Sequence, residues 1–320
     1  MGVESMNKVK SIPLYDELPY NETLKMHCSW GVFGEEDELG TINLLTPEIV
    51  KKASSEVVKG KVFNLSLPLN LPDPPLFRES YKHIIYSSNR NSQDDYLDSF
   101  YLQGSSQWDS LRHIRAREFG FYNGITGEEA GPKGNKLGIE KWAEHGMIGR
   151  ALLVDIPNFM EKNNRPYNPR EEYKITPELL EEVMSWQGSV PKEGDILLLR
   201  TGYIKAYLQA SPEERIDFKE NKTCAGLIGT EDMARFLWNY HFAAVCADNP
   251  AVEVIPGSPK DGSLHRRLIP MLGFAMGELL DLEKLAEDSA EDRRYTSYFV
   301  AVPLNIPGGV GSPVNAVAIK

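Results

Sequence analysis

Near the end of the first third of the chain, residues 103–113 read QGSSQWDSLRH and gather two carboxamides, a carboxylate and an imidazole: Gln103, Gln107, Asp109 and His113. Side chains two apart on an extended strand share a face, so Gln107 and Asp109 converge on one point. A turn or short helix then returns His113 toward them. Oxygen and imidazole donors at such a point suit a hard or borderline divalent cation such as Mn²⁺ or Zn²⁺. The same residues also read as a polar loop whose Asp and Gln satisfy backbone donors while Trp108 and Leu111 enter the core. The chain has no GxSxG nucleophile elbow, phosphate loop or dinucleotide fingerprint to compete with this reading.

Two later segments hold what a metal-and-water site would still need. GSLHRRLIPMLGFAMGELLDLEKLA contains His265 and Glu278. One of them could complete a coordination shell and the other could accept a proton from water. Glu278 reads as the first residue of a helix over 278–288, where the helix dipole favours a carboxylate. As a local feature it is then a first-turn capping acid, and His265 a surface histidine. ADNPAVEV at 247–254 follows a buried-strand pattern, and strand ends are where α/β folds gather site residues. Asp248 and Glu253 there read as acids that orient a ligand, or as an Asx turn before Pro250. Arg200 ends another apolar run and reads either as a carboxylate binder or as half of a buried ion pair. Trp108, Phe119, Phe121 and Tyr122 read as a substrate wall or as core aromatics.

The elements that must position these residues follow from composition and pattern. The 320 residues carry a net charge of −11, and no basic stripe with interleaved aromatics stands out, which argues against nucleic acid as a partner. Three dispersed cysteines, Cys28, Cys224 and Cys246, argue against a disulfide framework and for a reducing compartment. The N-terminus has no apolar signal core and fits a myristoylation pattern poorly. No apolar run reaches the roughly 20 residues of a membrane span. A cytoplasmic protein is the expectation.

Strands are expected at 61–69, 150–156, 195–200, 242–248 and 298–306, with a last one at the C-terminus. Several are continuous apolar runs, as in strands covered on both faces. Helices are expected after Thr46-Pro47-Glu48, after Thr176-Pro177-Glu178 and after Gly229-Thr230-Glu231. The fold class is α/β with a mixed order of elements. Residues 70–146 form a long irregular insertion, the kind that usually carries function.

Taken together, SWGVFGEEDELGTINLLTPE (29–48), LLRTGY, ADNPAVEV and LHRRLIPMLGFAMGELLDL resemble the cyclase family of metal-dependent hydrolases, which includes kynurenine formamidase and isatin hydrolase. The resemblance runs from about Trp30 to the C-terminus. Well-known members carry HxGTHxDxPxH where this chain has QGSSQWDSLRH. Gln103 and Gln107 stand in place of two histidines, and the pattern resembles a QxxxQxDxxxH subgroup that includes trans-dienelactone hydrolase. The resemblance implies a swivelling β/β/α fold with a mixed sheet, flanking helices and long active-site loops. It implies one domain over 30–320, an N-terminal arm at 1–29 that contacts a neighbour, and a homo-oligomer, dimer or tetramer.

A carboxamide is a weaker and harder ligand than imidazole, so one Mn²⁺ or Zn²⁺ is expected rather than a two-zinc centre. Its implied ligands are Gln107, Asp109 and His265, with Gln103 as a further one. His113 and Glu278 are the implied catalytic groups, and Trp108, Arg200, Phe121, Tyr122 and Asp248 the substrate contacts. The expected reaction is attack of a metal-bound water on the carbonyl of a small amide or lactone, arylformamidase-like or dienelactone hydrolase-like. A metal- or small-molecule-binding protein without hydrolysis, and a lyase or true cyclase on the same scaffold, are the alternatives.

Overall fold

Apolar runs covered on both faces build the centre of the molecule. The computed structural model describes residues 12–320; the readings made on residues 1–11 lie outside them. Among the described residues, eleven strands have three residues or more. These are β1 (Val62–Asn64), β2 (Lys82–Asn89), β3 (Ser92–Asp98), β4 (Gln107–Asp109), β5 (Met147–Asp155), β6 (Ile196–Arg200), β7 (Ala244–Ala247), β8 (Ala275–Glu278), β9 (Thr296–Ala301), β10 (Gly311–Pro313) and β11 (Ala316–Ile319).

Nine of them form one mixed sheet in the order β10-β4-β8-β7-β6-β5-β9-β11-β1. Its centre, β8 to β5, is parallel. Antiparallel strands flank it on both sides. All five residues of β6 and all four of β7 are buried, which explains why their sequences lack alternation.

The expected caps form. Thr46 Oγ1 accepts from Ile49 N at 3.3 Å, Thr176 Oγ1 from Leu179 N at 3.3 Å and Thr230 Oγ1 from Met233 N at 3.4 Å. They open the helices Pro47–Ala53, Pro177–Gln187 and Glu231–Asn239. Each cap satisfies a donor that the first helical turn leaves unpaired. The last of these helices buries Met233, Ala234, Leu237 and Trp238 against the core.

Residues 13–16 lie against that helix. Tyr15 N donates to Asn239 Oδ1 at 2.8 Å, and Trp238 Nε1 donates to Pro13 O at 2.8 Å. The motif at 29–48 is a clamp between layers. Asp37 accepts from Gly40 N and from the Tyr122 hydroxyl, and Thr41 Oγ1 donates to Ala243 O. Gly40 has φ +63°, and a Cβ there would lie 2.0 Å from Gly273 O, so only glycine fits.

Two expectations need correction. The helix expected over 278–288 begins at Glu283 and runs to Asp292, whereas Glu278 is the last residue of β8. Pairing decides this: AMGE hydrogen-bonds between β7 and β4, and Leu279, at φ +55°, turns the chain out of the sheet. The dipole argument for Glu278 therefore falls. Residues 70–146 are also not wholly irregular. They contain β4 and a long hairpin of β2 and β3 whose side chains are almost all exposed. That hairpin forms its own two-stranded sheet.

Candidate metal centre

Strand β4 sorts its residues by face. Trp108 points into the core, donates from Nε1 to Val314 O at 2.9 Å and meets Phe299 edge-on at 6.3 Å. Gly277 on β8 makes room for it, since a Cβ there would lie 2.8 Å from Cys246 Sγ and 3.1 Å from the Trp108 ring. Gln107 and Asp109 point to the other face, as their spacing requires. Antiparallel register sets Glu278 directly opposite Gln107, and cross-strand partners lie within reach of each other. Gln107 Nε2 donates to Glu278 Oε2 at 2.6 Å.

Two loops close the cluster. After β4 the chain turns, with His113 N donating to Ser110 O at 2.9 Å. The turn brings His113 Nε2 to 3.6 Å from Asp109 Oδ2. Gln103 Nε2 donates to Asp109 Oδ1 and lies 3.2 Å from His113 Nδ1. From the opposite side, His265 in the short helix Leu264–Arg267 brings Nε2 to 3.1 Å from Glu278 Oε1 and 3.9 Å from Asp109 Oδ2.

Glu253 holds His265 in place. It receives His265 Nδ1 at 2.7 Å, Leu264 N at 2.7 Å and Ser263 Oγ at 3.1 Å. With Nδ1–H committed to a carboxylate, Nε2 is the nitrogen left to bind a cation, the arrangement that orients histidine ligands in metal sites.

One atom each of Asp109, His265 and Glu278 lies within 4.8 Å of the others, the one such His/Cys/Asp/Glu group among the described residues. Beside them Gln107 Oε1 is buried without a hydrogen-bond partner. A buried, unpaired acceptor among two carboxylates and an imidazole is costly unless a cation or donor completes it. The donors therefore fit a divalent ion.

The electrostatics agree. Burial, then the neighbouring Glu278, pushes Asp109 up to about 6 against the pull of His113, His265 and Gln103. Burial lowers His113 below its ordinary value despite Asp109. Burial also opposes charge on His265, yet its hydrogen bonds to Glu253 and Glu278 hold its pKa well above the usual histidine value. Two carboxylates this close need a positive charge between them, and without a metal ion His265 supplies it.

The cluster floors a cleft of about 170 Å³. Its walls are Leu76, Phe77, Arg78, Pro250, Ala251 and Leu279. Larger clefts occur at the hairpin base and beside Lys51 and Arg150, but neither contains such a donor group.

The expected substrate contacts lie elsewhere. Trp108 is core. Phe121 is buried, and Tyr122 is buried with its hydroxyl on Asp37. Neither of these lines the cleft, nor does half-buried Phe119. Asp248 accepts from Thr201 N, Thr201 Oγ1 and Gly202 N at 2.6–2.7 Å, tying down the turn after β6. Arg200 donates to Asp155 Oδ1 at 2.7 Å and to both carboxylate oxygens of Glu283 at 2.9 and 2.7 Å. It is a buried structural ion pair facing a different cleft. The cleft walls at 76–78 are what residue-by-residue reading missed. The signal available was the insertion itself, whose proline-rich segment NLPDPPLFR leads to them.

Residues 63–254 match the sequence profile of the Cyclase family, described as "Putative cyclase". A solved structure described as a novel cyclase is 34% identical, covers 92% of this chain and 99% of its own, and superposes with a TM-score of 0.81. Isatin hydrolase A from Labrenzia aggregata, solved bound to benzyl benzoate, is 16% identical with a TM-score of 0.55, over 83% of this chain and 94% of its own. Isatin hydrolase A from Ralstonia solanacearum is 14% identical with a TM-score of 0.56, over 86% and 99%. At those identities the likeness is one of fold. No functionally curated protein matches the chain. No helix among the described residues is long and apolar enough to cross a membrane.

Proposed function

This chain belongs to the cyclase family, and from that premise we propose that it is a metal-dependent hydrolase of small amides or lactones. The observation that carries the reading is the convergence of Asp109, His265 and Glu278 around the unpaired Gln107 Oε1. A fold shared with isatin hydrolases and retention of an acid–imidazole floor in a cleft support it.

Asp109, His265 and Gln107 would hold one ion, with Glu278 or Gln103 as a further donor. One nitrogen among several oxygens suits Mn²⁺ better than Zn²⁺. Such an ion, when bound, supplies Lewis-acid activation of a carbonyl and a nucleophilic water at neutral pH.

The protein's own residues do the rest. Glu253 fixes the tautomer of His265. Gln103 orients both Asp109 and His113. His113, kept neutral by burial and about a quarter exposed at its side chain, can accept a proton from the attacking water. It can then return that proton to the leaving amine or alkoxide. As imidazolium it stabilises negative charge developing on the carbonyl oxygen. Glu278 serves as an alternative proton acceptor if it is not a ligand.

The test is elemental analysis of untagged protein against Asp109→Ala, followed by formamide and lactone screens in ¹⁸O water. About one ion per chain, lost in the variant, with ¹⁸O in the product acid, is the expected result. A wild type that takes up neither Mn²⁺ nor Zn²⁺ overturns the reading. Turnover without ¹⁸O incorporation replaces hydrolysis by an isomerising reaction.

A further inference from the structure

Arg78 is the one lysine or arginine lining the cleft above the metal centre. It is half-buried and shares that lining with His113. Among the described residues its guanidinium has no carboxylate partner. Its hydrogen bond is to the carbonyl of its neighbour Phe77, at 3.3 Å. Charged residues of the cleft floor are otherwise acidic or imidazole, yet none of them claims Arg78.

The loop that presents it is anchored. The Tyr207 hydroxyl accepts from Asp73 N at 2.5 Å and donates to Asp73 O at 2.9 Å. Leu76 is buried in a second apolar cluster with Tyr203, Tyr207 and Phe218. Phe77 lies exposed at the mouth, with Lys222 5.2 Å above its ring.

We propose that Arg78 is a substrate-recognition residue that binds a carboxylate, so that the enzyme selects amides or lactones carrying an anionic group beside the scissile bond. The proposal rests on the hydrolase reading above and deepens it. A guanidinium matches a carboxylate in planar, two-pronged fashion. Held by an anchored loop, it loses little freedom on binding. Arg200, the residue that reads as a carboxylate binder in the sequence, is already committed to Asp155 and Glu283.

Matched probe pairs test this: N-formylanthranilate against formanilide, and 5-oxotetrahydrofuran-2-carboxylate against γ-valerolactone. Wild type, Arg78→Gln and Arg78→Lys are compared, each loaded with Mn²⁺. Wild type should prefer the carboxylated member of the pair it hydrolyses. Arg78→Gln should lose about 10–100-fold in kcat/KM on that member, mainly through KM, as expected for a lost charge-assisted bond. The neutral member should change little, and Arg78→Lys should restore part of the loss. Equal losses on both members, or no preference in the wild type, overturn the proposal.

If no probe is hydrolysed, the hydrolase reading fails or needs another substrate. A calorimetric titration with phthalate then judges Arg78 separately. Binding weakened tenfold or more by Arg78→Gln supports carboxylate recognition, and unchanged or absent binding rejects it.

Discussion

Two of the buried charge clusters on this sheet differ in completion. At the ends of β5 and β6, Arg200 is matched by Asp155 and Glu283, with each guanidinium nitrogen on a carboxylate oxygen. At β4 and β8, two carboxylates face one imidazole, and a buried carboxamide oxygen has no partner. The first cluster is satisfied and explains itself as structure. The second is held in place by Glu253 and Gln103 yet left short of positive charge. Functional sites are where a fold tolerates such a deficit, because the missing partner is supplied by an ion or a substrate.

Changes to the two clusters should therefore behave in opposite ways. Asp109→Ala or His265→Ala should abolish metal retention and lower kcat/KM by about 10³-fold or more, the loss of several kcal/mol of electrostatic activation. Elemental analysis and steady-state kinetics check this. The metal-free Asp109→Asn protein should melt no lower than metal-free wild type, because the change removes a carboxylate that burial and Glu278 disfavour. Calorimetry in the presence of a chelator reads the sign.

Arg200→Met should do the reverse. It strands Asp155 and Glu283, and breaking a buried pair from one side typically costs about 3–5 kcal/mol. Denaturant unfolding should record that loss, while the folded fraction keeps its metal content. A variant that loses metal but not stability would show that the two clusters are coupled.

Glu253→Gln is a gentler probe of the metal centre. Metal affinity should fall about 10–100-fold, the usual effect of removing the group that orients a ligand histidine. Competition with a fluorescent chelator measures it. If affinity is unchanged, His265 does not act through Nε2 as argued.

The smallest effect per step is pH dependence. Binding an ion requires Asp109 as carboxylate and His265 without its Nε2 proton. The Asp109 carboxyl is raised to about 6 by burial and Glu278, so acidification through 6 protonates it and weakens binding. His265 is held well above its ordinary value by Glu253 and Glu278 against the effect of burial, so it competes at neutral pH as well. Affinity should rise about tenfold per pH unit near neutrality, for one proton released, and more steeply below pH 6. For the metal-free fold the His265 linkage has the opposite sense. Its stabilisation is fully present below the unfolded value near 6.5 and is lost as pH rises through the raised folded value. A flat binding profile from pH 5 to 8 would exclude both groups as ligands.

Much of the site is readable in the residues themselves. Gln107 and Asp109 share a face because they are two apart on a strand, and Trp108 enters the core because it lies between them. The helix starts at Thr46, Thr176 and Thr230 follow from local capping chemistry, and continuous apolar runs mark β5, β6 and β7 as buried. Glu278 is different. Its residue type suggests a role, but its local surroundings, an amphipathic stretch after glycine, argue for a helix. Only pairing with β4, 171 residues away along the chain, makes it a strand end opposite Gln107.

What the sequence determined alone is therefore what short-range rules govern: periodicity, caps, and the shared face of Gln107 and Asp109. Besides placing Glu278, the tertiary structure decided three things. It committed Arg200 to an ion pair, turned His265 inward on Glu253, and set Arg78 over the cleft. Each depends on which distant groups become neighbours. A charged side chain has no preferred role until burial and partner are known, because both together fix whether it is satisfied.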